Sequence, residues 1–301
     1  MKDNTDKIRR LPIVLEARRI GLKELPETLS ERLIEIAKKR DKKIFAYRIV
    51  YKSQGHRVIG FIIEPRVGKK LPSIIWNRGG SGDFGKIEII NLFTRFAWLA
   101  KEGYIVITTQ YSGNDGSEGR DEMGGGDIED VLNLYKILKG YSRSDISKVG
   151  MYGASRGGMM TYLALARVKW LKAAVTVSAP ANEVSASKFR KDWQAHQIKM
   201  YGGSLAERKK RSAIYWANKL YKKTPLLIMH GTADWRVNPL DSIHLAEKLY
   251  ENQVPYRLVV FEGTDHALNE NAKTAEMLTF EWFERFLKKD EKLPVLKPHG
   301  K

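Results

Sequence analysis

The chain has 301 residues, 43% of them hydrophobic, with 53 Lys and Arg against 35 Asp and Glu, a net charge of +18, and no cysteine. That length and composition suit one large α/β domain and exclude a disulfide scaffold, a thiolate metal site and a cysteine nucleophile. No apolar run approaches the ~18 residues that span a bilayer, and the opening Asp3-Asn4-Thr5-Asp6-Lys7 lacks the apolar stretch of a secretory signal, so the expected setting is soluble and cytoplasmic.

Taken in chain order, residues 1–40 read as a charged N-terminal helical arm, with Leu29, Leu33, Ile36 and Ala37 at helical spacing. Residues 44–51 and 57–64 read as two strands of an antiparallel hairpin turning at Gln54-Gly55. From residue 73 the rhythm changes to short apolar strands at 73–76, 104–108, 148–152, 173–177, 226–229 and 257–261. Between and after them lie amphipathic helices at 90–101, 127–138, 157–167, 239–250 and 271–287. Such alternation requires a mostly parallel, doubly wound sheet, with functional loops at the carboxyl ends of its strands. An antiparallel hairpin entering a parallel sheet is the α/β-hydrolase layout. The expected organisation is therefore an arm over 1–40, an α/β-hydrolase domain over 41–289 interrupted by a cap-like insertion at 181–222, and a tail over 290–301.

The strand at 148–152 runs into Gly153-Ala154-Ser155-Arg156-Gly157-Gly158 and then into a helix. A serine at the apex of a strand-to-helix turn takes a strained backbone conformation, which small neighbours permit, and its hydroxyl is left exposed at a helix N-terminus. Ser155 is the candidate nucleophile. A neutral serine needs a base, and the base needs an orienting acid. Of the six histidines, only His266 follows the last expected strand and precedes the final helix. His196 in the insertion is the rival base, while His230 reads as an anchor for the turn after it. Asp234 stands in the loop after strand 226–229, giving the order Ser155, Asp234, His266; neighbouring Asp265 is too close in sequence to turn onto the same ring and reads as a loop brace.

The oxyanion of an acyl-transfer intermediate needs backbone donors. One is the Arg156 N–H; the loop Asn77-Arg78-Gly79-Gly80-Ser81-Gly82 supplies the second, with Gly80 first choice and Gly79 the alternative. The glycine-rich stretch at 112–126 lacks phosphate-loop spacing and carries four acids, so it reads as a structural or substrate-bordering loop. Trp193, Tyr201, Trp216 and Trp235 are candidates for lining an acyl pocket. This chemistry calls for no metal or cofactor. The basic clusters at Lys38-Lys39-Arg40, Lys69-Lys70 and Lys209-Lys210-Arg211 are scattered rather than interleaved with aromatics, which argues against a specific nucleic-acid surface.

Five ordered motifs resemble the prolyl oligopeptidase family of serine hydrolases, within the α/β-hydrolase superfamily. They are Asn77-Arg78-Gly79-Gly80, Gly119-Arg120-Asp121-Glu122-Met123-Gly124-Gly125 leading into Asp127, Gly153-Ala154-Ser155-Arg156-Gly157-Gly158, His230-Gly231-Thr232-Ala233-Asp234, and Asp265-His266. The resemblance covers about residues 72–288 and implies Ser155 as nucleophile, His266 as base, Asp234 as orienting acid and Gly80 at the oxyanion position. Two departures stand out. The 70 or so residues before the first parallel strand are too few for the β-propeller of the family's peptidases, and Arg78 and Arg156 stand where the family commonly has His or an aromatic. The resemblance implies a peptidase acting on short peptides, with a carboxylesterase of the same fold as the alternative. The reading from another class is a catalytically silent protein whose positive surface binds a polyanion. A homo-oligomer would form through the N-terminal arm.

Overall fold

The computed structural model describes residues 3–300; Met1, Lys2 and Lys301, at the outer ends of the expected arm and tail, lie outside them. The chain divides into two compact units, Met1–Asp121 with Glu129–Val149 and Glu122–Ile128 with Gly150–Lys301.

The first unit opens with α1 (Thr5–Arg9), β1 (Val14–Ile20) and α2 (Glu31–Asp41). The arm expected to be helical thus contains a strand. β1 pairs antiparallel with β2 (Ile44–Ser53) and lies at the edge of the strand order, so only its Ala17 and Ile20 are buried. Glu16, Arg18 and Arg19 are exposed and hide the alternation that marks a strand. β3 (His56–Pro65) completes the expected hairpin, in register from Ile44↔Pro65 to Ser53↔His56. Gln54 and Gly55 have φ of 49° and 86°, the positive pair a two-residue hairpin turn needs.

Next come β4 (Leu71–Asn77), α3 (Ile89–Phe93), α4 (Ala97–Ala100), β5 (Ile105–Thr109) and α5 (Ile128–Gly140). The strand order within this unit is β1-β2-β3-β5-β4; β3 meets β5 antiparallel and β4 meets β5 parallel. All five residues of β5 are buried, as a parallel strand covered on both faces must be. The single helix expected over 90–101 is instead two short ones. Thr94 turns its hydroxyl back onto Ile90 O (2.8 Å) and its own carbonyl accepts from Arg40 Nη1, so the backbone ladder stops there. Wholly buried Glu64 is neutralised by Arg143 (2.8 Å) and also accepts from Tyr141 OH (2.6 Å) and Asn4 Nδ2 (2.8 Å).

β6 (Ser144–Ala154) begins in the first unit and ends in the second. It is followed by α6 (Arg156–Leu165), β7 (Leu171–Val177), α7 (Ala186–Phe189), α8 (Trp193–Tyr201) and α9 (Leu205–Lys210). The unit ends with β8 (Leu226–Gly231), α10 (Leu240–Glu251), β9 (Tyr256–Phe261) and α11 (Ala272–Phe283). The strand order is β6-β7-β8-β9, with β7, β8 and β9 parallel. All ten residues of α6 are buried, so this helix has no solvent face and its start is held rigidly. The segment 181–222 is laced at its ends by Glu183 N to Ser212 Oγ (2.8 Å) and Ile214 N to Ala181 O (3.3 Å). Among the described residues no helix is long and apolar enough to cross a membrane.

Candidate active site

Ser155 caps α6 with φ 54° and ψ −127°, a left-handed conformation that costs a side-chain-bearing residue on the order of 1–3 kcal/mol. Its surroundings enforce it: Ser155 N donates to Val177 O (2.8 Å) on β7, and Gly158 N donates to Ser155 O (2.8 Å). A Cβ at Gly153 would stand 2.0 Å from Gly157 O, so the turn closes only with glycine there.

Asp234 and His266 sit on loops after β8 and β9 that are tied together by Thr232 N to Phe261 O (2.9 Å) and Ala233 N to Thr264 O (3.0 Å). The lacing brings the two side chains into contact, His266 Nδ1 to Asp234 Oδ2 at 2.7 Å. The other carboxylate oxygen, Oδ1, accepts from the amides of Arg236 (2.8 Å) and Val237 (3.0 Å). Burial opposes ionisation of Asp234. Hydrogen bonds from His230 and His266, the attraction of His266 and the Val237 amide outweigh it and hold the carboxyl far below its ordinary range. With Nδ1 donating to this carboxylate, His266 presents Nε2 as a free base.

His230 is a participant the sequence reading reduced to a turn anchor. It is fully buried, and its Nε2 lies 3.0 Å from the same Asp234 Oδ2, while its Nδ1 lies 2.7 Å from Ser242 Oγ. These two contacts, one through each ring nitrogen, fix the His230 ring against the acid. The four-residue spacing of His230 and Asp234 was the available signal. Asp265 takes the brace role, accepting from the amides of Ala267 (2.9 Å) and Asn269 (3.0 Å). His196, the rival base, stacks on Trp193 with ring centroids 4.4 Å apart.

Arg156 contributes a buried guanidinium paired with wholly buried Asp127 at 2.6 Å. Asp127 Oδ1 also accepts from Gly124 N (2.9 Å), and Arg211 donates to Met123 O and Glu122 O (both 2.8 Å). The glycine-rich segment 122–128 is thereby fastened by two arginines, one from the start of α6 and one from beyond α9. Gly80, in the first unit, has φ 72°; its loop is pinned by Arg78, whose guanidinium donates to the carbonyls of Gly79, Gly82, Phe84 and Gln110.

Of the four aromatic candidates, Trp193 and Tyr201 converge on buried Glu183, donating to its Oε2 at 2.9 and 2.8 Å. Trp235 is 62% exposed and shares Arg190 with Trp193, the guanidinium lying 5.4 and 4.9 Å from the two rings. Trp216 is not part of that group; its indole donates to Lys209 O (3.1 Å). Gln197 also donates to Glu183 Oε2 (2.8 Å), and nothing in the sequence distinguishes this buried acid from the solvated ones around it.

A profile of the prolyl oligopeptidase family matches residues 90–290. The chain is 26% identical over 240 residues to the uncharacterized peptidase YtmA of Bacillus subtilis, covering 77% of this chain and 91% of that protein. It is 25% identical over 260 residues to dipeptidyl-peptidase 5 of Porphyromonas endodontalis, covering 79% of this chain but 37% of that protein. In structure it is similar to the acylaminoacyl peptidase of Pyrococcus horikoshii, with a TM-score of 0.73 at 23% identity over 86% of this chain and 44% of that one. The chain thus spans less than half the length of these last two. The likeness in structure shows the α/β-hydrolase fold, and the family match covers the segment that carries Ser155, Asp234 and His266. The chain belongs to the prolyl oligopeptidase family of serine hydrolases.

Proposed function

We propose that this hydrolase cleaves short peptides or aminoacyl amides through an acyl-enzyme on Ser155. His266 Nε2 takes the proton from Ser155 Oγ as the oxygen attacks the acyl carbonyl, and the Arg156 amide at the start of α6 donates to the oxyanion that forms. The imidazolium then protonates the leaving amine. Water, deprotonated by the same nitrogen, attacks the acyl carbon and releases Ser155. The carrying observation is the 2.7 Å contact between His266 Nδ1 and an ionised, four-fold hydrogen-bonded Asp234. That contact sets the tautomer the base requires.

The amide preference draws on the peptidase names of the relatives, and the same acyl-enzyme chemistry serves esters. A cytoplasmic setting belongs to this reading and is supported by the absence of cysteine. So does a homo-oligomer through the N-terminal arm, on which Leu15 and Leu33 are exposed. The test compares kcat/KM for an aminoacyl anilide, a dipeptidyl anilide and a short-chain aryl ester in the wild type and in Ser155→Ala. The expected result is hydrolysis by the wild type, with at least one anilide exceeding the ester, and a loss of about a thousandfold or more in the variant. Equal rates in the two proteins contradict it.

A further inference from the structure

Two like charges face each other where β1 meets β2. Arg18 stands directly opposite Arg48 in the antiparallel register, so their side chains leave the same face of the sheet. Like charges at directly opposed positions weaken a strand pair. A third arginine joins them from α1: Arg9, Arg18 and Arg48, together with Leu15, Glu16 and Ala17, line one cavity of about 250 Å³. All six residues belong to the first unit, whereas Ser155, Asp234 and His266 belong to the second.

The three guanidiniums are unequally engaged. Arg9 donates to Asp6 Oδ1 and to Ala17 O, both at 3.2 Å, and Arg18 pairs with Glu24. Glu16, the acid of the cavity, is taken by Arg57. Arg48 is half-buried and has neither a hydrogen bond nor an ion pair among the described residues. The other inward-facing arginines of this unit are provided for. Arg66 donates to the carbonyls of Asp41 (3.0 Å) and Ile44 (3.1 Å), and Arg143 pairs with Glu64 at 2.8 Å. A guanidinium partly withdrawn from water keeps its full charge and five N–H donors, and leaving them without an acceptor is costly.

The chemical complement of such a site is an oxyanion, whose oxygens match the guanidinium fork. A carboxylate presents its two oxygens in one plane, to one fork. A tetrahedral phosphate presents its oxygens in several directions, which suits arginines arriving separately from α1, β1 and β2. At ~30 Å³ for each water of the liquid, the cavity has room for about eight, more than a bare phosphate fills. Leu15 and Ala17 add an apolar wall on which a small carbon skeleton can rest.

We propose that Arg9, Arg18 and Arg48 form a binding site for a phosphate group, free or carried on a small organic molecule, separate from the chemistry at Ser155. Titration calorimetry with inorganic phosphate and with glycerol 3-phosphate tests it, at a constant ionic strength of about 0.15 M set with sodium chloride. The full-length wild type is expected to bind at least one of them with a Kd of about 1 mM or tighter. Equal affinities identify the free anion as the ligand, and tighter binding of glycerol 3-phosphate identifies an organic phosphate. Arg48→Gln is expected to weaken binding at least tenfold. Arg32→Gln removes the same charge from an exposed position on α2 and is expected to stay within twofold of the wild type. Should Arg48→Gln fail to fold, Arg18→Gln, at a half-exposed side chain, takes its place with the same expectation. Absence of binding in the wild type overturns the proposal, as does equal weakening in Arg32→Gln, which would mean long-range attraction alone. Binding unchanged in a folded Arg48→Gln, or glycerate binding as tightly as glycerol 3-phosphate, overturns it as well.

Discussion

At the scale of single residues, Asp234 is the pivot. Its Oδ2 is shared between His266, the proposed base, which is half-buried, and His230, which is wholly buried. Two rings on one oxygen divide the work. His230 and the two backbone amides hold the carboxylate in place, leaving its orientation unaffected as His266 gains and loses a proton. In His230→Gln, Asp234 loses a charge-assisted hydrogen bond worth about 1.5–3 kcal/mol. The expected effect is a fall in kcat of about 10- to 100-fold with little change in KM, read from anilide hydrolysis alongside a thermal melt. A kcat within twofold of wild type would show that His230 only packs. Ser155, Asp234 and His266 are proposed from motif spacing and chain order, and of these the structure brings Asp234 and His266 into contact. The role of His230 was not readable, since a buried histidine and a turn anchor look alike until Ser242 on α10 is seen to fill its other nitrogen.

At the scale of elements, α10 shows how a helix start can carry a pH-dependent cost. Asp241, in its first turn, is buried and accepts from the amides of Ala181 (3.1 Å) and Asn182 (3.0 Å). Burial pushes its carboxyl up to about 7; those two amides oppose the shift, and the negative charges of Glu183 and Asp234 add to it. The folded protein therefore binds this proton more tightly than the unfolded chain. The stability it contributes is complete below about pH 4, the ordinary range of an aspartate, and is lost as pH rises to about 7. Asp241→Asn keeps an acceptor for both amides and removes the titration. In urea unfolding the variant is expected to gain on the wild type by about 1–3 kcal/mol between pH 5 and pH 8. A difference that does not change with pH would mean that the ionised carboxylate is tolerated. The elements themselves were legible wherever periodicity was clean, as in the hairpin and β4 to β9. They were misread where tertiary contacts overrode it: β1, an edge strand whose alternation is masked by charge, and the helix over 90–101, which Thr94 and Arg40 interrupt.

At the scale of the whole molecule, the family's hydrolase fold explains the sheet, the nucleophile turn and the order of the three residues. Ionic and polar contacts hold the loops around that frame. Arg156 and Arg211 fasten the glycine-rich segment 122–128, and Arg78 pins the loop of Gly80. The sequence showed Arg78 and Arg156 as departures from the family pattern, but not Arg211. It did not show that their partners are buried, because burial depends on residues far apart in the chain. The net charge of +18 bears on long-range attraction. The account's central claim is that Ser155 is activated by His266. Intact-mass measurement after treatment with a fluorophosphonate tests it most directly. One adduct per chain is expected in the wild type, mapped by peptide analysis to Ser155, with none in Ser155→Ala and labelling slowed at least a hundredfold in His266→Ala. A folded wild-type protein that stays unlabelled, or an adduct that persists in Ser155→Ala, would contradict it.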